Sequence, residues 1–242
     1  MAKVKIESPA VFERYEKKYI LKKEQYEKLL ENLNGHLEQD EYGKHTICTI
    51  YYDTDDYVNI RRCLEKPKFR EKLRLRSYGI PTADTTVFLE LKKKLAEITY
   101  KRRVPLSLID VEKYFTYDTP PFDRGQIFQE IHWYVRQKPF KPKVLISYDR
   151  IALNGIKDPT FRVTFDTDIR WRDYDLSLNK GDYGSMLFEP EMYLMEVKTL
   201  NALPLWFVNI LTGLKIYPSS FSKYATIYQE YLGLKEVLQN AV

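Results

Sequence analysis

The feature that most restricts this chain is a charge carried on every second residue. In Lys72–Leu73–Arg74–Leu75–Arg76 the cations take alternate positions and leucines fill the gaps. Successive side chains of a β-strand point to opposite faces, so the segment reads as a strand with one cationic and one apolar face. The same alternation sets Glu90 and Lys92 against Leu89 and Leu91, Glu196 and Lys198 against Met195 and Val197, and Arg162, Thr164 and Asp166 against Phe161, Val163 and Phe165. Arg14, Glu16 and Lys18 oppose Tyr15 and Tyr19, Lys101 and Arg103 oppose Tyr100 and Val104, and Arg150 stands at a strand end beside Ile146 and Tyr148.

A single strand of this kind is usually half of a sheet whose polar face meets water. Here seven segments recur, and their polar faces are biased in sign. They hold twelve cations (Arg14, Lys18, Lys72, Arg74, Arg76, Lys92, Lys94, Lys101, Arg103, Arg150, Arg162, Lys198) against four acids (Glu16, Glu90, Asp166, Glu196), in a chain with 39 basic and 34 acidic residues. Like charges crowded on one concave face repel each other. Rolling the sheet into a tunnel makes the arrangement tolerable as an anion site, since phosphate oxygens match the Arg fork and accept from Lys as a point charge. A carboxylate among such cations can hold a divalent metal that bridges phosphate oxygens.

The remaining pattern predicts strands near Phe12–Leu21, Ile47–Asp53, Lys72–Tyr78, Val87–Lys93, Thr99–Leu106, Val144–Leu153, Phe161–Arg170 and Glu191–Lys198. Helices are predicted at Lys23–Leu33, Asp110–Tyr117, Gly125–Gln137, Pro204–Leu214 and Ser222–Gly233. Strands that neighbour one another in sequence favour an antiparallel sheet over βαβ units. The fold class expected is therefore α+β, an antiparallel barrel or tunnel of about eight strands with flanking helices, in one domain spanning residues 1–242. Twenty Tyr and twelve Phe against nine Gly agree with a strand-rich chain.

Several functions find no support. There is no phosphate-cradling G-x-x-x-x-G-K-[ST] loop and no G-x-S-x-G elbow. His36, His45 and His132 lack metal-ligand spacing and read as surface or loop histidines, and Asp53–Thr54–Asp55–Asp56 reads as a turn after a strand. Cys48 and Cys63 are expected to be reduced, mostly buried thiols. Met1–Ser8 has no apolar secretion signal, and Ala202–Leu214 is too short to span a bilayer and contains Pro204. A cytoplasmic protein is expected, with no direct membrane span but room for a membrane-bound partner protein.

Lys72–Gly79, Phe88–Lys92, Tyr100–Val104, Tyr148–Arg150 and Leu194–Thr199, with Phe12–Tyr19 before them and Ser220–Tyr224 after, together resemble the VTC domain, the polyphosphate polymerase module of the triphosphate tunnel metalloenzyme (CYTH-like) superfamily. The resemblance runs over about residues 12–232. It implies an eight-stranded tunnel in which ATP donates phosphate to a growing inorganic polyphosphate chain. Carried over by position, Arg74, Arg76, Arg150 and Arg162 would act on the transferred phosphate, while Lys18, Lys92, Lys101, Arg103, Lys198, Ser222 and Lys223 would contact phosphates. Glu196, with Glu90, would ligate Mn²⁺ or Mg²⁺, and Ser222 would position phosphate near a helix N-terminus. Ser220 departs from the Lys that eukaryotic members often carry, and no SPX-like regulatory domain is read from the sequence.

Two alternatives stay open on the sequence. A hydrolase of the same superfamily would use the same bore, but its usual Glu-x-Glu-x-Lys start is here Arg14–Glu16–Lys18, short of one carboxylate. A non-catalytic module would bind polyphosphate or nucleic acid. For nucleic acid, a bore excludes a duplex and no aromatic stacking platform for single strands is read from the strands, so no nucleic-acid partner is expected.

Overall fold

The computed structural model describes residues 15–65, 67–95, 98–117 and 125–234. Among them are strands β1 (Tyr15–Lys22), β2 (Leu37–Gln39), β3 (His45–Asp53), β4 (Phe69–Tyr78), β5 (Thr86–Leu95), β6 (Ile98–Ser107), β7 (Lys141–Gly155), β8 (Arg162–Arg172), β9 (Ser185–Met186) and β10 (Met192–Thr199). Six helices accompany them: α1 (Lys23–Leu33), α2 (Val58–Leu64), α3 (Leu108–Tyr117), α4 (Gln126–Arg136), α5 (Leu205–Gly213) and α6 (Lys223–Ile227). A π turn, Tyr228–Leu232, continues α6.

The strands form one antiparallel sheet in the order β1-β10-β8-β7-β3-β4-β5-β6, with β2 added beside β7 and β9 beside β8. The α+β class and the eight-strand path agree with the sequence reading. Closure does not: among the described residues no backbone ladder joins β1 to β6. The exposed edge of β1 is taken instead by the segment before α6, where Ser219 donates its N–H to the Lys18 carbonyl at 2.7 Å. A charged side-chain contact crosses the remaining gap, Lys92 Nζ lying 3.6 Å from Glu16 Oε2.

The apolar halves of the alternating strands are covered from outside. Leu73, Leu75, Leu89 and Leu91 pack with Val111 and Tyr114 of α3 and Phe128 and Ile131 of α4. Tyr19, Val163, Phe165, Met195 and Val197 pack with Leu29 and Leu33 of α1 and Phe207 and Leu211 of α5, so the helix predicted at Pro204–Leu214 covers the wall. A fully buried leucine such as Leu91 is worth about 2–5 kcal/mol against alanine. A third cluster sits where Tyr224, Ile227 and Leu232 meet Ile146, Tyr148 and Leu194. Leu194 shares a face with Glu196, so α6 fills one end of the polar, concave side.

Several elements differ from expectation. Helix α2 follows the turn predicted at Asp53–Asp56 and had no periodic signal of its own. It starts because the buried Asp53 carboxylate accepts the N–H groups of Thr54, Asn59 and Ile60 at 2.9 Å each, satisfying donors a helix start leaves open. Strand β7 runs to Gly155, which puts Arg150 inside the strand and not at its end. His132 lies on α4 with its Nδ1 2.9 Å from the Tyr114 hydroxyl, tied into the core-facing side and not on a loop. Cys48 is buried, Cys63 half-buried, and both are free thiols. Phe12, Glu13 and Arg14 lie outside the described residues. Among those described, no helix is long and apolar enough to cross a membrane.

Candidate functional site

Because β4, β5, β6, β7, β10 and β1 each turn their alternate charged residues to the concave side, those residues meet around a common space. It is a cavity of about 640 Å³ lined by eleven cationic side chains and two carboxylates, Glu16 and Glu196. It runs into a second space of about 900 Å³, with which it shares Glu16, Lys18, Lys72, Lys92 and Ser222.

Two acids hold the cations in place from behind. Glu90 on β5 is fully buried and accepts from Arg74 Nε at 2.6 Å, Arg103 Nε at 2.6 Å and Lys101 Nζ at 2.7 Å. Burial alone would raise its pKa, but Arg74, Arg76, Lys101 and Arg103 outweigh that and hold the carboxyl far below the usual range. Asp166 on β8, also fully buried, binds Arg150 and Lys223. Burial opposes its charge too, and Arg150 and Lys223 keep it ionised.

Among the described residues, Arg76 and Lys72 lack such a partner. Arg76 is 8% exposed, and its polar contacts are long ones to neutral oxygens, Thr49 Oγ1 and the Tyr148 hydroxyl at 3.4 Å each. Lys72 donates to Ser222 Oγ at 3.1 Å and pairs with no carboxylate among the described residues. The crowding shows in the proton affinities. Burial, together with Arg103 and Arg74, overcomes Glu90 and pushes Lys101 down to about 7. Burial also lowers Lys72 and Lys92. Burial would raise the Tyr51 hydroxyl, but Arg74, Lys72 and Arg76 bring it down to about 8.

Of the residues singled out in the sequence, Lys18, Arg74, Arg76, Lys92, Lys101, Arg103, Arg150, Glu196, Lys198, Ser222 and Lys223 line the cavity. Arg162 does not. It lies opposite Lys198 in the ladder, but its guanidinium turns to Asp40 Oδ2 at 2.9 Å and is 40% exposed. Glu90 is not placed as a metal ligand, because three cations occupy its carboxylate. Ser222 precedes α6, a helix of five residues, and its hydroxyl is engaged by Lys72. Tyr51 and Tyr148 also line the cavity and carried no charge signal in the sequence; their place at alternate positions beside Thr49 and Arg150 is what could have revealed them.

A divalent cation fits one part of this wall. Among the described residues no group of three or more His, Cys, Asp or Glu is placed to hold a metal. Glu16 and Glu196, however, sit diagonally across the β1–β10 ladder on the bore side. Burial and then Glu196 raise the Glu16 pKa, and Lys92, Lys18 and Lys198 outweigh them and lower it. Among the described residues Glu16 makes only long ion pairs, 3.5 Å to Lys18 and 3.6 Å to Lys92, while Glu196 pairs with Lys198 at 2.8 Å. Opposite Glu196 on β8, the buried Thr164 hydroxyl has no hydrogen-bond partner. Two carboxylates with the balance of ligands from phosphate oxygens is the usual way of holding Mg²⁺.

A family model for the VTC domain matches residues 13–231. No curated protein matches the chain. Among solved structures, a candidate adenylate cyclase from Bacillus halodurans is 14% identical with a TM-score of 0.57, covering 92% of this chain and 100% of its own. A candidate adenylyl cyclase from Hippeastrum, described as having a dominant triphosphatase activity, is 14% identical with a TM-score of 0.49, covering 88% of this chain and 94% of its own. The first of these likenesses is one of fold.

Proposed function

The chain belongs to the VTC domain family, and on that premise we propose that it transfers the γ-phosphate of ATP to a growing inorganic polyphosphate chain within the bore. The observation that carries the reading is Arg76, a buried guanidinium with no ion pair to a carboxylate among the described residues, on the same strand face as the half-buried Lys72, which likewise has none there. Glu90 attracts Arg76 without touching it; a buried charge with no direct partner is costly, and an anionic guest lowers that cost.

In the transfer, an oxygen of the chain's terminal phosphate bonds to the γ-phosphorus, the bond from that phosphorus to the β,γ-bridging oxygen breaks, and ADP leaves with the electron pair. Such a reaction needs in-line positioning and neutralised charge, with little covalent chemistry from the protein. Arg74, held by Glu90, and Arg76 take the oxygens of the transferred group. Arg150 and Lys223, held by Asp166, face them across the bore. Lys18, Lys72, Lys92 and Lys198 hold the neighbouring phosphates. Glu196 and Glu16 would hold Mn²⁺ or Mg²⁺, which supplies Lewis-acid neutralisation of phosphate oxygens.

Hydrolysis is the second reading, favoured by Glu16, whose two long ion pairs leave a carboxylate able to serve a metal and an attacking water. Purified protein incubated with ATP and Mn²⁺ separates the readings. Long-chain polyphosphate on a gel supports the polymerase, free phosphate alone supports the hydrolase, and neither product supports a binding module.

A further inference from the structure

Arg103, like Arg150 over Tyr148 at 5.1 Å, is a bore guanidinium both pinned by hydrogen bonds and set against an aromatic ring. Its guanidinium is pinned within its own plane: Nε donates to Glu90 Oε1 at 2.6 Å and a terminal nitrogen donates to the Tyr78 hydroxyl at 2.8 Å. One face of that plane lies on the Phe88 ring, 4.1 Å from its centroid. Tyr78 meets Phe88 edge-on at 5.7 Å, so the support is itself braced. The side chain nevertheless remains 31% exposed and lines the cavity, and Tyr78 beside it is 46% exposed. A planar cation clamped edgewise, its Cζ 4.1 Å from the Phe88 ring and 5.7 Å from the Tyr78 ring, stays partly open to the cavity.

A planar guanidinium of fixed orientation can take an aromatic ring on its face while its N–H groups stay in plane. The ladder places Arg103 opposite Glu90, and Glu90 opposite Arg74. Arg103 and Arg74 also share the Glu90 carboxylate, each Nε 2.6 Å from one of its oxygens, so these two nitrogens lie within about 7 Å of each other. A ribose with its first phosphates can bridge that gap. We infer that the partly open Arg103 side chain, backed by Phe88 and braced by Tyr78, stacks on the nucleobase of a nucleoside triphosphate whose phosphates point inward. The sequence reading gave Arg103 to phosphate; this assignment replaces that role and rests on the proposed reading only in taking the donor to be a nucleotide.

The test compares two ligands that share phosphates and differ in the base. Calorimetric titrations with ATP and with inorganic tripolyphosphate are run on the wild type, Arg103→Lys and Phe88→Leu. Lys keeps the charge toward Glu90 and loses the plane; Leu keeps apolar bulk and loses the ring behind it. Loss of a base stack is expected to weaken ATP binding by roughly five- to 150-fold in Arg103→Lys. A smaller loss is expected in Phe88→Leu, with tripolyphosphate changed less than about twofold in both. An equal loss for both ligands, or no loss for either, overturns the inference. Should Arg103→Lys fail to fold, Phe88→Leu gives the same comparison. A wild type that binds ATP but makes no polyphosphate removes the polymerase reading and leaves this comparison to decide the platform. A wild type that binds neither ligand overturns both.

Discussion

Arg150 grips Asp166 with two prongs, Nε to Oδ1 at 2.6 Å and a terminal nitrogen to Oδ2 at 2.8 Å, and Lys223 reaches the same Oδ2 at 2.5 Å. The arrangement matches that of Glu90 with Arg74, Lys101 and Arg103. Each buried acid serves as a hub that fixes the orientation of several cations before any ligand arrives. Preorganised charge of this kind is what transfer of a highly charged group draws on.

Asp166→Asn should therefore lower stability by about 3–5 kcal/mol at neutral pH, since a buried ion pair is broken and two cations lose their partner. The Asp166 pKa is depressed in the folded state by Arg150 and Lys223 against burial. Its contribution is thus fully present above the unfolded value of about 3.9 and is lost as pH falls through the folded value. Urea unfolding of the two proteins should show a constant gap from pH 7 to 5 that narrows below pH 4. A gap that widens on acidification would contradict the hub.

Arg76 should behave in the opposite sense. With neutral oxygens at 3.4 Å as its hydrogen-bond partners and only a longer-range attraction to Glu90, its charge is expected to cost stability in the empty bore. Arg76→Met is expected to raise the ligand-free unfolding midpoint by a few degrees, about 1 kcal/mol. The same variant should lose most of the stabilisation that tripolyphosphate gives the wild type and at least ~100-fold in phosphoryl transfer. A variant less stable than wild type without ligand would show that Arg76 belongs to the scaffold.

How much of this was legible in the sequence follows from what each signal depends on. Lys72, Arg74 and Arg76 reveal both their strand and their shared face, because alternation is a local property. Residues 23–33 show their helix for the same reason. The edge gap between β1 and β6 depends on Ser219 meeting Lys18, about 200 residues away, and no local pattern encodes it. The division of labour among acids was hidden as well. Glu90 and Glu196 look alike in sequence, and only their neighbours, Arg103 and Arg74 across the ladder for one, Lys18 and Thr164 across the ladder with Lys198 at 2.8 Å for the other, separate a three-cation hub from the carboxylate proposed for the metal. Arg162 alternates correctly and still leaves the bore, because Asp40 stands within reach.

Anion binding should take up protons near neutral pH. Lys101, pushed down to about 7 by burial, Arg103 and Arg74 against Glu90, is partly neutral in the empty bore. Tyr51, brought down to about 8 by Arg74, Lys72 and Arg76 against burial, is partly anionic above that pH. A phosphate chain favours the protonated form of both, so affinity for tripolyphosphate should fall as pH rises from 7 to 9. Calorimetry at pH 8 in buffers of different ionisation enthalpy should report net uptake. Lys101→Arg, whose charge does not titrate, should reduce that uptake, and net proton release would contradict the assignment.

The metal requirement should divide the acids in the same way as the geometry. Glu16 and Glu196 share the bore side of the β1–β10 ladder; among the described residues Glu16 has ion pairs of 3.5 and 3.6 Å and Glu196 one, with Lys198 at 2.8 Å, whereas Glu90 is enclosed by three cations within 2.7 Å. Replacing a carboxylate by an amide keeps the shape and removes the charge a hard divalent cation needs. Glu196→Gln and Glu16→Gln should each shift the Mn²⁺ concentration needed for half-maximal tripolyphosphate binding upward by roughly tenfold or more. Glu90→Gln should leave that midpoint within about twofold while lowering stability by about 3–5 kcal/mol. Manganese titrations followed by calorimetry, with unfolding curves on the same samples, give both numbers. A Glu90→Gln variant that loses its manganese response with its fold intact would return Glu90 to the metal and reassign Glu16 and Glu196 to the cation network.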